Sequence, residues 1–183
     1  RDLPFRQLGT QPALTQHTSQ PKTMTGSPSA HPLVDTQVAA PTCELRSPGA
    51  VLLISCYELG HQPLGVASPA GFLVRAGFSP LTLDIAVEAF DEQRIAAARF
   101  IGISVPMHTA LRLGVRVAAR IRDLNPSCHI CFYGLYASLN SDYLLDQEAD
   151  SCLGGEYELP LVQLIESLET GNGNTVEGVT SRE

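Results

Sequence analysis

The sequence predicts an α/β domain built on a doubly wound parallel sheet, and three observations carry that expectation. Short, near-continuous apolar runs recur in the second part of the chain, as in "VLLISCY" (51 to 57) and "FIGISVP" (100 to 106), the pattern of strands buried on both faces. Segments with a helical apolar period lie between them. Strand and helix alternate five times between residues 49 and 170, which makes the strands parallel and the crossovers right-handed. Five βα units favour a flavodoxin-like sheet of order 2-1-3-4-5 with helices on both faces, a six-stranded Rossmann order being the alternative.

Each element follows in turn. "VLLISCY" is the first strand, and after the loop "ELGHQPLG" (58 to 65) comes the helical pattern "VASPAGFLVRAG" (66 to 77). That pattern closes on Gly77, a residue free to take the left-handed conformation that ends helices. "LTLDIAV" (81 to 87) is the second strand, and "DEQRIAAA" (91 to 98) a short helix whose leading acids suit the positive end of its dipole. "FIGISVP" is the third strand. Residues 108 to 124 form the clearest helix, with Ala110, Gly114, Val117, Ala118 and Ile121 on one face. "HICFYGLY" (129 to 136) is the fourth strand, "SDYLLDQEA" (141 to 149) a helix, "DSCLGG" (150 to 155) the fifth strand and "ELPLVQLIESL" (158 to 168) the last helix.

Composition bounds the rest. At 183 residues and 44% hydrophobic, the chain has room for one ordinary domain with a sizeable core. Residues 1 to 48 hold seven of the thirteen prolines among Thr, Ser and Gln with no sustained period, and read as a disordered leader. Residues 171 to 183, "GNGNTVEGVTSRE", read as a linker. A net charge of -7 argues against a nucleic-acid surface, which concentrates Lys and Arg against phosphates. No run of 18 uncharged apolar residues occurs and the N-terminus lacks the order of a signal peptide, so no membrane span is expected and the cytoplasm is the default compartment. Five cysteines, at 43, 56, 128, 131 and 152, suggest reduced thiols placed in strands rather than a disulfide framework. The Cys128 and Cys131 pair has metal or redox spacing, but residues three apart on a strand face opposite sides.

In such sheets ligands sit outside the carboxyl ends of the strands, so the loops there decide the ligand class. A receiver domain would need an Asp after strand 3 and a Lys after strand 5, whereas strand 3 ends Ser104-Val105-Pro106 and the one lysine is Lys22. Neither G-x-G-x-x-G nor G-x-x-x-x-G-K follows a strand: Gly60 and Gly65 have the outer spacing of the latter with no Lys behind them. The loop after strand 1 is also poor in the hydroxyls a flavin phosphate favours. Arg112, Arg116 and Arg120 recur every four residues on the third helix and read as a solvated basic edge, with docking to an acidic domain as the alternative.

The order "VLLISCYELGHQPLGVASPAGFLVRAGF", "FIGISVPMHTALRLGVRVAARIRDLNP", "ICFYGLYASLN" and "ADSCLGGEYELPLVQLIESL" resembles the cobalamin-binding domain of the cobalamin-dependent radical S-adenosylmethionine enzymes. The stretches "SVPMHTALRLG" and "CFYGLYASLNSDYLL" are most similar to a subgroup with cysteine- or selenocysteine-containing tails. The resemblance covers residues 50 to 170. It implies a corrinoid lying across the carboxyl edge of the sheet with its nucleotide tail threaded between strands, the chemistry residing in the cofactor. It also implies a covalently linked barrel holding an iron-sulfur cluster and S-adenosylmethionine. The Cys-x-x-x-Cys-x-x-Cys motif of that barrel is absent, so this chain is expected to bind and not to catalyse, the intact enzyme most simply transferring a methyl group.

The residues the resemblance points to follow four strands: Glu58, Leu59, Gly60, His61, Leu64 and Gly65 after strand 1, and Ser104, Val105, Pro106, Met107 and His108 after strand 3. Tyr133, Gly134, Leu135 and Tyr136 follow strand 4, and Gly154, Gly155 and Glu156 follow strand 5. In related methyltransferases the cobalt ligand is the His of D-x-H-x-x-G. The loop here is Glu58-x-x-His61-x-x-x-Gly65, one residue longer on each side, so no axial metal ligand is expected and His61 is the position it would occupy. Ser104 matches a serine facing the threaded base, or is a strand serine bonded to its neighbours. Gly134 matches the first of two glycines that admit the tail, Leu135 replacing the second. Two other classes stay open, a non-catalytic module binding a nucleotide-like ligand or partner protein and a flavodoxin-like electron carrier.

Overall fold

The computed structural model of the chain describes residues 44 to 171 and 175 to 182, and the leader expected over residues 1 to 43 lies outside them. Six strands form one sheet of order β2-β1-β3-β4-β5-β6: β1 (Val51–Ser55), β2 (Leu81–Asp84), β3 (Phe100–Ser104), β4 (His129–Tyr133), β5 (Ser151–Leu153) and β6 (Val179–Ser181). The first five are parallel, in the flavodoxin-like order 2-1-3-4-5 that the alternation predicts. Between them run α1 (Leu64–Arg75), α2 (Glu92–Ala97), α3 (His108–Leu124), α4 (Leu135–Leu139), α5 (Ser141–Asp146) and α6 (Glu158–Thr170).

Strand pleating divides the core in two. Val51, Leu53, Phe100, Cys131, Tyr133 and Leu153 meet α1 and α6 on one face. Leu52, Ile54, Ile101, Ile103, Ile130 and Phe132 meet the other helices on the opposite face. Each fully buried Leu, Ile or Phe contributes roughly 1.5–3 kcal/mol, which is why β1 and β3, buried at every position, read as continuous apolar runs. Cys128 and Cys131 fall in different cores, and Cys56, Cys128, Cys131 and Cys152 are buried and in no disulfide among the described residues.

Local chemistry sets the ends. Asp91 accepts the amides of Gln93 and Arg94 at the start of α2, a capping arrangement. Gly77, at φ 86, follows α1 and lets Phe78 N–H return to Leu73 O at 3.0 Å, as a left-handed cap does. The long helix spans residues 108 to 124 as the period predicts, burying Ala110, Leu111, Gly114, Ala118 and Ile121, with Val117 half-buried.

Most elements begin or end within about three residues of expectation, and three differences change the architecture. The fourth strand stops at Tyr133, because Gly134 turns to φ 108 and residues 135 to 139 wind into α4. Within the expected linker, Val179–Ser181 pair antiparallel with β5 as a sixth strand, a register that three weakly apolar residues cannot announce. Residues 44 to 48, expected in the leader, include Leu45, which is buried, and Arg46, which lies over the Phe78 ring at 4.3 Å and bonds Glu169 at 3.0 Å. One apolar residue among polar ones shows no period, so only the packing reveals it.

Candidate functional site

The carboxyl edge begins with the loop between β1 and α1. His61 N–H closes onto Glu58 O at 2.9 Å around Leu59 at φ 54 and Gly60 at φ 76, two consecutive left-handed residues of the kind a type I′ turn needs. Glycine takes this conformation freely; a leucine there stores about 1–3 kcal/mol of strain. The turn holds Leu59 outward, 61% exposed. Behind it, the Glu58 carboxylate turns back to the start of α1 and accepts Gly65 N–H at 3.1 Å together with the Leu64 amide. Burial raises the Glu58 pKa above the usual carboxylate value, the two amides oppose the rise, and the charge of Asp84 adds to it.

Beneath this loop, register aligns Ser55, Ser104 and Tyr133 on adjacent strands, all on the face of α1 and α6. Tyr133 is fully buried; its hydroxyl donates to Gly65 O at 2.9 Å and is also hydrogen-bonded to Ser104. Its ring lies 4.9 Å from that of Tyr157 at 47°. Burial above all, then the neighbouring Tyr157, Cys131 and Glu58, keeps Tyr133 un-ionised. Ser68 on α1 donates to Glu158 at the start of α6 at 2.9 Å. Ser55 Oγ is buried and has no partner among the described residues.

Four of the sequence-predicted residues thus come together: Glu58, Gly65, Ser104 and Tyr133. A Cβ on Gly65 would lie 2.3 Å from Ser104 Oγ and 2.5 Å from Glu58 Oε1, so α1 approaches β3 only because this residue is glycine. Gly134 packs on the Val105 backbone, where a Cβ would lie 3.3 Å away, and Gly154 packs on Ser138, at 2.2 Å. Val105 is buried and bonds Tyr133 O and Tyr136 N–H at 2.9 and 3.1 Å.

The remaining predicted residues line the rim. Leu64, Leu135, Gly155 and Glu156 are exposed, and Pro106 and Met107 half-buried. Gly60 and Gly155 have no atom within 4 Å of where a Cβ would stand. His108 meets the edge of Tyr136 with ring centroids 6.5 Å apart, and His61 is exposed. Among the described residues no three His, Cys, Asp or Glu side chains gather as a metal site. Sequence reasoning missed Ser55, Ser68 and Tyr157. Ser55 carried a signal, since it lies on the first strand two residues after Leu53 and so on the same face.

One property unites the edge. Among the described residues seven large apolar side chains are at least 58% exposed, and six of them lie on segments that follow strand ends: Leu59, Leu64, Val87, Leu135, Leu139 and Leu159. Val74 is the seventh. Scattered exposed apolar residues are ordinary; their concentration at the edge where such sheets bind ligands is not.

Fold and edge together define a flavodoxin-like α/β domain with its candidate site at the carboxyl ends of the strands. No family model matches the chain, and no curated protein matches it. Among solved structures it is similar to the radical S-adenosylmethionine methyltransferase TsrM from Kitasatospora setae, determined with tryptophan substrate and a S-adenosylmethionine analogue bound, at 15% identity and a TM-score of 0.57. That match covers 73% of this chain and 28% of the methyltransferase, so the chain spans under a third of the enzyme's length. A flavodoxin-like domain from Synechococcus sp. matches at 16% identity and a TM-score of 0.39, covering 67% of this chain and 90% of that one. No described helix is long and apolar enough to cross a membrane.

Proposed function

We propose that residues 49 to 170 form the corrinoid-binding domain of a radical S-adenosylmethionine enzyme. The observation that carries this reading is the apolar rim: six exposed aliphatic side chains on the segments leaving the strand ends, with Gly60 and Gly155 open to close approach. Such a surface suits a broad, flat, largely apolar ligand and suits a phosphate poorly, since neither phosphate-cradling motif follows a strand. The fold shared with part of a radical S-adenosylmethionine methyltransferase supports the reading as context.

The residues present fit one half of the cofactor. Leu59, Leu64, Leu135 and Leu159 would shield a ring face from water, and the strained turn at Leu59 spends folding energy to hold that side chain outward. The nucleotide half finds no room beside Gly65, Gly134 or Gly154, each of which is packed on the chain's own atoms. A bound corrinoid would supply methyl-transfer chemistry to the intact enzyme, while this chain binds and orients. The sequence carries no three-cysteine cluster motif, so the radical step is assigned to a covalently linked barrel.

The test is retention. The full chain, mixed with hydroxocobalamin and desalted, is expected to keep about one red chromophore per chain. Leu59→Glu, exposed and therefore harmless to folding, is expected to weaken binding about tenfold, equivalent to ~1.4 kcal/mol. A folded chain that retains no corrinoid overturns the reading, and a chain isolated yellow favours the flavin carrier instead.

A further inference from the structure

We propose that this domain holds a corrinoid by its ring alone and leaves the nucleotide tail outside the fold, because Glu58, Ser104 and Tyr133 close the slot between α1 and the ends of β1, β3 and β4. The inference rests on the corrinoid reading above and departs from the threaded tail that the sequence resemblance implies. An aromatic base stacks with carbon atoms about 3.5 Å from each of its faces, so the walls of a slot that admits it stand about 7 Å apart. The walls here already touch. Gly65 lies so close to Ser104 and Glu58 that even a methyl group would sit 2.3 and 2.5 Å from their oxygens.

Hydrogen bonds lock the closure from three strands' ends. Glu58 holds Gly65 N–H at 3.1 Å and Tyr133 holds Gly65 O at 2.9 Å, gripping both sides of one residue. Tyr133 is bonded to Ser104 as well, and its ring packs against Tyr157, so the volume under α1 is filled by an aromatic group belonging to the chain. The two neighbouring gaps are shut too, with Gly134 against the Val105 backbone and Gly154 against Ser138. Ser55 Oγ, the orphan in this row, asks for one hydrogen-bond partner and does not widen any gap. Admitting a base would break both bonds to Gly65 and unpack a fully buried tyrosine.

The experiment compares two probes on the full chain by absorbance titration: hydroxocobalamin, which carries the tail, and diaquocobinamide, which lacks it. The proposal predicts dissociation constants within about threefold of each other. Hydroxocobalamin binding thirtyfold or more tightly shows the tail held inside the fold and overturns the inference while leaving the corrinoid reading standing. A folded chain that binds neither probe overturns both.

Discussion

Gly65 shows what one missing Cβ does. Because a side chain there would meet Ser104 Oγ at 2.3 Å and Glu58 Oε1 at 2.5 Å, Gly65→Ala is expected to cost about 1–3 kcal/mol, the range for overpacking. The obstacles are side-chain ends, so removing one returns part of the loss. A double-mutant cycle with Ser104→Ala, read by urea denaturation, should show a favourable coupling of at least about 0.5 kcal/mol; strictly additive costs would mean the two residues do not meet. The sequence marks Gly65 and Ser104 as candidates through their places after strands 1 and 3. It marks Tyr133 too, after strand 4, but gives no sign that its hydroxyl reaches Gly65, 68 residues away, because that contact depends on how closely α1 packs on the sheet.

Two junctions decide how elements are tied. Asn125, buried at the end of α3, donates to Ile95 O at 2.9 Å and Ala98 O at 2.8 Å and so fastens the last turn of α2. Asn125→Leu removes the amide from both carbonyls, leaving Ile95 O with the Ala98 N–H at 3.3 Å but stranding Ala98 O, and guanidinium denaturation should show a loss of about 1–3 kcal/mol; a loss under about 0.5 kcal/mol would deny the tie. The second junction is β6, which covers the outer edge of β5 while the Arg182 guanidinium reaches Leu145 O and Gln147 O. A chain ending at residue 175 uncovers that edge, and uncovered edges pair with other chains. Light scattering should therefore show concentration-dependent association that the full chain lacks, and a truncated chain that stays monomeric would count against the covering role. Neither junction was legible in sequence: an Asn before Pro reads only as a helix end, and "VTS" is too short to show a strand period.

At the scale of the whole molecule, His129 and Glu58, among the described residues, shift stability with pH in opposite directions. Burial lowers the His129 pKa below its usual value near 6.5, with Asp150 opposing and Arg122 reinforcing, so between the folded and unfolded pKa values the unfolded chain binds more protons. His129 thus contributes stability above pH ~6.5 that is lost as pH falls through its folded pKa. Glu58 works the other way: its raised pKa favours the fold below about 4.5, and that contribution fades as pH climbs through the folded value. Urea midpoints measured from pH 4 to 8 should fall toward acid below 6.5, and His129→Phe, which retains a ring against Phe100, should flatten that slope. An unchanged slope would remove His129 as its source. What the sequence by itself determined is the α/β class, the order of the first five strands and the edge at which to look, since apolar runs and helical periods are local consequences of burial. What only the tertiary structure decided is the shape of that edge: β6, the buried Leu45, and the close packing of Glu58, Gly65, Ser104 and Tyr133 beneath exposed aliphatic side chains. These depend on contacts between residues distant in sequence, whose distances no local pattern encodes.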